Sequence, residues 1–143
     1  MTEVSRYRFL RGGVGLAADI SAEVREIAGV PAGALQIYRN VYLHLPAGPL
    51  PWKDAAWLSF GLSLHADLLA AADQGASRVV DVTSLDYPNG DYRAEVAALA
   101  IDGWLHRCLD LPACGASVAY DRESHEFSFS WPGGVTPFAD DLP

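Results

Sequence analysis

The sequence predicts an α+β domain: a two-layer sandwich with a mixed sheet and two long helices on one of its faces. Three observations lead there. Half of the 143 residues are apolar, enough for one real core in one domain. Runs of period-two alternation mark strands near both ends and in the middle of the chain. Two long apolar stretches with helical spacing flank a strand-like run, so helices and strands intermix.

The first run places Tyr7 and Phe9 on one face and Arg6 and Arg8 on the other. Gly12-Gly13 comes next, and then Val14, Leu16, Ala18 and Ile20 recur at period two. Two alternating runs joined by Gly-Gly predict a hairpin, because both turn residues reach positive φ freely. Ser21 reads as the N-cap of a short helix through Ala28, stopped by Gly29. The clearest strand is Leu35 to Leu45. Its apolar face carries Leu35, Ile37, Val41, Leu43 and Leu45, and its polar face Gln36, Tyr38, Asn40, Tyr42 and His44.

Pro46 to Pro51 ends that strand, and a helix is expected from Trp52 to Asp73, with Gly75 just past its end. Leu58, Leu62, Leu68 and Leu69 are placed toward the sheet. Arg78 to Tyr87 reads as a strand with Val80 and Val82 inward, and Tyr87-Pro88-Asn89-Gly90 as a turn. Asp91 is expected to cap a helix reaching Leu109, whose buried stripe runs from Val96 to Cys108. A last hairpin pairs Val118 and Tyr120 with Phe127, Phe129 and Trp131. The order is βββαβα plus a C-terminal hairpin. Residues 1–132 form the expected domain, and 133–143 an acidic tail rich in Pro and Gly.

The net charge of −8 argues against general DNA binding, which needs clustered Lys and Arg. Only Arg6, Arg8 and Arg11 cluster. No run approaches the roughly eighteen apolar residues of a membrane span. Met1 to Arg6 lacks the pattern of a secretory leader. Cys108 and Cys114 form no CxxC motif and suit a reducing, cytoplasmic setting. Among the four histidines no metal-ligand spacing emerges, and no cofactor motif stands in its required context. Gly13-Val14-Gly15-Leu16-Ala17-Ala18 has the Gly-x-Gly-x-x-Ala form, but the adjoining stretch through Ile20 alternates like a strand rather than opening a helix.

The middle of the chain resembles a known family. Gly48-Pro49-Leu50-Pro51-Trp52-Lys53 leads into a helix with Gly61-Leu62, then Val79-Val80-Asp81-Val82, and then a helix carrying Ala97 to Trp104. In element order and residue type this is similar to domain IV of the translational GTPase elongation factor G, over roughly residues 48–104. The resemblance implies a βββαβα fold and a domain that reaches the ribosomal decoding region through loops at its tip. Those loops would correspond to Arg11, Gly12 and Gly13 with Val14 and Gly15, and to Tyr87, Asn89, Gly90 and Asp91 around Pro88. The chain departs from the family in carrying no phosphate loop, and apart from Arg11 those loops have no basic residue.

Several groups invite chemistry and have simpler readings. Asp102 and Asp110 flank His106 at helical spacing, a surface charge pattern. Asp81, Asp86 and Asp91 near Tyr92 and Arg93 could make an acidic pocket, although Asp86 and Asp91 also read as turn and cap residues. No serine sits in a Gly-x-Ser-x-Gly elbow. The polar strand face of Gln36, Tyr38, Asn40, Tyr42 and His44 is the most suggestive surface, since tyrosine rings give contact area at low entropy cost.

The first functional expectation is therefore a non-enzymatic binding or accessory module for a protein or ribonucleoprotein partner, using that face or the tip loops. A ribosome-associated role follows from the resemblance alone. The first alternative is a small-molecule-binding protein or small enzyme with a cleft between sheet and helices near Tyr38, Tyr42, His44 and Asp81. The second is an immunity or antitoxin-like protein whose acidity neutralises a basic toxin. Trp52, Trp57 and Phe60, if exposed together, would make a homodimer seam.

Overall fold

The computed structural model describes residues 2–70 and 75–138. Among them a five-stranded sheet and a separate two-stranded sheet accompany three α-helices, which makes the fold α+β. Strand β1 (Glu3–Arg11) turns through Gly12 and Gly13 into β2 (Val14–Ala28). Both glycines have positive φ, 58° and 83°, where a side chain would be strained. The register sets Tyr7 against Ala18 and Phe9 against Leu16, so one face of the hairpin is apolar. The Gly-x-Gly-x-x-Ala string thus lies on a hairpin and opens no helix.

The short helix expected from Ser21 to Ala28 is absent. That segment continues β2 and pairs antiparallel with β5 (Ala76–Asp86). Ala22 lies opposite Val82 and Val24 opposite Val80 on the core side, with Glu23 and Arg25 on the other. A ladder with a buried face outweighs one capping serine, and Ser21 marks a register shift instead.

The expected single strand Leu35–Leu45 is two strands, β3 (Leu35–Tyr38) and β4 (Val41–His44), folded back on each other. Arg39 interrupts the alternation because it turns the chain, at φ 51°. Strand β4 runs parallel to β5, and the sheet order is β1-β2-β5-β4-β3. The other pairings are antiparallel, so the sheet is mixed.

The first helix is shorter than expected: α1 spans Trp52–Ser63, and a one-turn α2 spans Ala66–Leu69. The Ser63 hydroxyl donates to the carbonyl of Phe60, and His65 leaves the helical region between the two. Residues 71–73 of the expected helix lie outside the described residues. Leu68 points outward, whereas Leu58, Leu62 and Leu69 are buried. Helix α3 (Glu95–Leu109) starts four residues later than Asp91, whose carbonyl instead accepts from the Ala17 amide at 2.8 Å.

Helix α3 packs on β1 and β2, and α1 packs on α3. Between helices and sheet, Ile20, Leu43, Leu58, Leu62, Val80, Val82, Ile101 and Leu105 form a continuous core. Trp104, also buried there, donates its indole N–H to the carbonyl of Glu3 at 3.0 Å, which fastens α3 to the edge strand. The last hairpin joins β6 (Ser117–Asp121) to β7 (Glu126–Ser130) and packs Phe127 edge-on against Phe9 at 6.1 Å.

Beyond β7 the chain folds back over α1. Trp131 lies 5.3 Å from Trp57 and 5.4 Å from Phe60, and Phe138 lies 5.6 Å from Trp57. Trp57 and Phe60 are therefore buried within the molecule and unavailable as a seam, while Trp52 stays 67% exposed. Among the described residues no helix is long and apolar enough to cross a membrane.

Candidate functional site

The face of the sheet away from the helices is laid out by register. Tyr42, Val79 and Arg25 form one row across β4, β5 and β2, and His44, Asp81 and Glu23 form the next. His44 Nδ1 lies 3.1 Å from Asp81 Oδ1, and Arg25 reaches Asp81 Oδ2 at 3.4 Å. Further along, Arg8 meets Asp19 at 2.8 Å. This face is polar, but its charges are largely matched within it. Asp81 belongs to this row, while Tyr92 and Arg93 turn to other partners, so the sequence-suggested pocket of Asp81, Asp86, Asp91, Tyr92 and Arg93 does not assemble.

The five predicted sheet-face residues do not share one exposed surface. Tyr42 is only 7% exposed, beside Gln36 on β3 and Val79 on β5. Tyr38 closes the hairpin under the Arg39 guanidinium, 5.1 Å from its ring. His44 looks onto the charged face with Asp81. Gln36, Asn40 and Tyr42 do come together, in the wall of a cavity of about 880 Å³ at the end of the sheet.

That cavity lies where β2 ends, β5 begins and the β3–β4 turn folds over. Gln36, Arg39, Asn40, Tyr42, Asp67 and Ser77 line it. Its frame is built from hydrogen bonds to backbone. The Asn40 side-chain amide donates to the carbonyl of Ala76 at 3.1 Å, and the Asn40 carbonyl accepts from the Arg78 amide at 2.8 Å. Ser77, itself buried, donates to the carbonyl of Gly29 at 2.5 Å. The Gln36 amide donates to the carbonyl of Arg39 at 2.8 Å and keeps its own carbonyl as an acceptor. Arg39 brings a cation to the lining and Asp67 an anion.

The two predicted tip loops lie at the opposite end of β2, held together by the bond from Ala17 to Asp91. The last hairpin joins them there, with Arg122 beside Gly12. Tyr87 is tied down rather than free. Its hydroxyl donates to Asp54 Oδ2 at 2.7 Å, and the hydroxyl of Tyr92, stacked on it at 3.4 Å, donates to Oδ1 at 2.9 Å. Asp54, in the first turn of α1, is 2% exposed. Burial, and then the Asp54 hydrogen bond and charge, push the Tyr87 hydroxyl up to about 12, and the same causes raise Tyr92 further.

A second carboxylate, Asp102 on α3, is partly buried between His65, at the α1–α2 junction, and Cys114, in the segment leading to β6. His65, 2% exposed, places Nε2 2.6 Å from Asp102 Oδ1, which also accepts the Cys114 amide at 2.9 Å. Burial alone would raise the Asp102 carboxyl, but the bonds from His65 and Cys114 outweigh it and hold it below the ordinary value. The predicted surface pattern of Asp102 with His106 is thus replaced, and the His106 ring meets the carbonyl of Leu111 at 2.7 Å. Here the carboxylate lies between imidazole and cysteine, so it raises the Cys114 thiol after burial has done so. Cys108 is pushed up to about 11 by burial and the Glu3 carboxylate. Neither thiol is an activated nucleophile.

Both carboxylate clusters escaped the sequence reading. The available signal was a polar residue inside an apolar stripe: His65 in the stretch 55–72, and Asp102 directly after Ile101. Among the described residues no cluster of His, Cys, Asp and Glu is placed to hold a metal. Comparison with protein-family models, curated proteins and solved structures finds no match for the chain.

Proposed function

We propose that this chain is a binding module for a small polar molecule, held in the cavity beneath the Arg39–Asn40 turn. The cavity carries this reading. At about 880 Å³ it falls within the range of roughly 300–1,000 Å³ of ligand sites. Its walls mix the Tyr42 ring with amide, hydroxyl and charged groups, the combination that encloses a ligand and orients it. Arg39 adds support. A side chain at φ 51° costs about 1–2 kcal/mol where glycine would cost little, and the residue held there brings a guanidinium to the rim. Binding is favoured over catalysis because the carboxylates Asp54 and Asp102 already have partners within the fold. Cytoplasmic residence belongs to the same proposal and suits two free thiols.

Amide chemical-shift mapping during titration with a panel of polar metabolites tests this reading. Perturbations should concentrate on residues 29–30, 36–42, 67–70 and 75–77. A panel that leaves these signals unmoved would sink it.

One observation favours a second reading, a partner surface at the tip. The Gly12–Gly13 turn, with Arg122 beside it, and the Tyr87–Asp91 turn, bonded to Ala17, lie toward the same end of β2, as a reaching arm of the elongation factor G type would require. Co-sedimentation with ribosomes in moderate salt checks it. Binding that disappears with the Arg11→Glu/Arg122→Glu double variant would support the tip, and absence of any binding would remove this reading.

A further inference from the structure

We infer that the cavity at the β3–β4 end takes a small zwitterion, a molecule of amino-acid type with one anionic and one cationic group. This rests on the cavity being a ligand site and goes further by naming the ligand class. The two oppositely charged side chains in the cavity lining, Arg39 and Asp67, point there. Arg6 and Arg8 meet Asp19, Arg25 meets Asp81, Arg78 meets Glu26, and Arg93 meets Glu95. Arg107 is bound by Ser5 and by the carbonyl of Arg6. Arg39 has only the Tyr38 ring, and among the described residues no carboxylate pairs with it; the same holds for Arg11, Lys53 and Arg122, but none of those three lines the cavity. Asp67, at the start of α2, likewise meets no cation among them. Both line the same cavity.

Each ligand class fares differently there. A purely anionic ligand gains Arg39 but meets Asp67 and the field of a chain carrying −8 overall. A purely cationic one gains Asp67 and is repelled by Arg39. A zwitterion satisfies both, because guanidinium and carboxylate each take an opposite charge while the rest of the ligand lies along neutral groups. Those groups are the carbonyl of Gln36, which can accept from an ammonium, the ring and hydroxyl of Tyr42, and the hydroxyl of Ser77. The ligand carries no net charge, so binding it adds nothing to the chain's self-repulsion.

Isothermal titration of the intact chain tests the class. The probes are the standard free amino acids, matched simple carboxylates lacking the amine, matched simple amines lacking the carboxylate, and neutral sugars. At least one amino acid should bind at millimolar concentration or tighter, and its two truncated analogues should bind at least about tenfold more weakly. Arg39→Gly and Asp67→Asn should each weaken that amino acid by a similar factor. Arg39→Gly is the informative variant, because it relieves the turn and so removes the guanidinium without endangering the fold. If simple carboxylates, amines or sugars bind at the cavity as well as the amino acids do, the zwitterion inference fails and the binding-module reading stands. Amino-acid binding unchanged in both variants places it elsewhere and overturns the inference. If no probe binds, both fall.

Discussion

Gly61 stands where α1 and α3 come closest. A Cβ there would lie 2.6 Å from the Ile101 side chain and 2.8 Å from the Ala98 carbonyl, so the helices can touch only because the side chain is missing. Gly61→Val is expected to cost about 1–3 kcal/mol in urea unfolding, through forced separation of the helices. The Asp54 cluster makes a second residue-scale prediction. Tyr92→Phe removes one of two hydrogen bonds to a buried carboxylate and should cost about 1.5–3 kcal/mol by the same measurement. Asp102 ties stability to pH. Its folded value lies below the ordinary 3.8, so its contribution is present above 3.8 and is lost as the pH falls through the folded value. Wild type should accordingly exceed Asp102→Asn in stability near neutrality, and the gap should close in acid. A gap that persists at low pH would mean that the charge of Asp102 is not what holds His65 and Cys114.

Among the elements, the β3–β4 hairpin turns on a non-glycine residue, Arg39, held at φ 51°. Arg39→Gly should raise stability by about 1 kcal/mol in thermal or urea unfolding, because glycine adopts φ 51° without strain. Loss of stability would instead mean that the Arg39 stem or its contact with Tyr38 contributes more than the turn costs. The hairpin also explains why the candidate site was half legible. Alternation from Leu35 to Leu45 correctly marks extended chain, but alternation does not show where an extended chain reverses. Once it reverses at Arg39, Gln36 and Tyr42 become cross-strand neighbours at a cavity, and His44 turns to Asp81 on the charged face. In β2 the outcome was decided from outside the segment. Ser21 to Ala28 has a plausible cap and stop, yet the partner strand Ala76–Asp86 offers it a full ladder.

At the scale of the molecule, the C-terminal segment acts as an aromatic cover for α1. Trp131 bridges Trp57, Phe60 and Phe129, and Phe138 reaches Trp52 and Trp57. Trp131→Ala should cost about 3–5 kcal/mol and uncover Trp57 and Phe60. Light scattering should then show more self-association than in the wild type, and a variant no more associated than the wild type would contradict the covering role. The sequence by itself determined the α+β class, the order of the main elements, the Gly-Gly hairpin and the inward faces of Val80, Val82 and α3. These arise from periodicity and turn chemistry, which act within a few residues. Tertiary structure alone decided that Tyr42 is buried, that the Trp57 face is covered from within, and that His65 meets Asp102 and Asp54 meets two tyrosines. The ties of His65 to Asp102 and of Asp54 to Tyr87 and Tyr92 each join residues more than thirty positions apart, and their energy depends on burial, which no local pattern specifies.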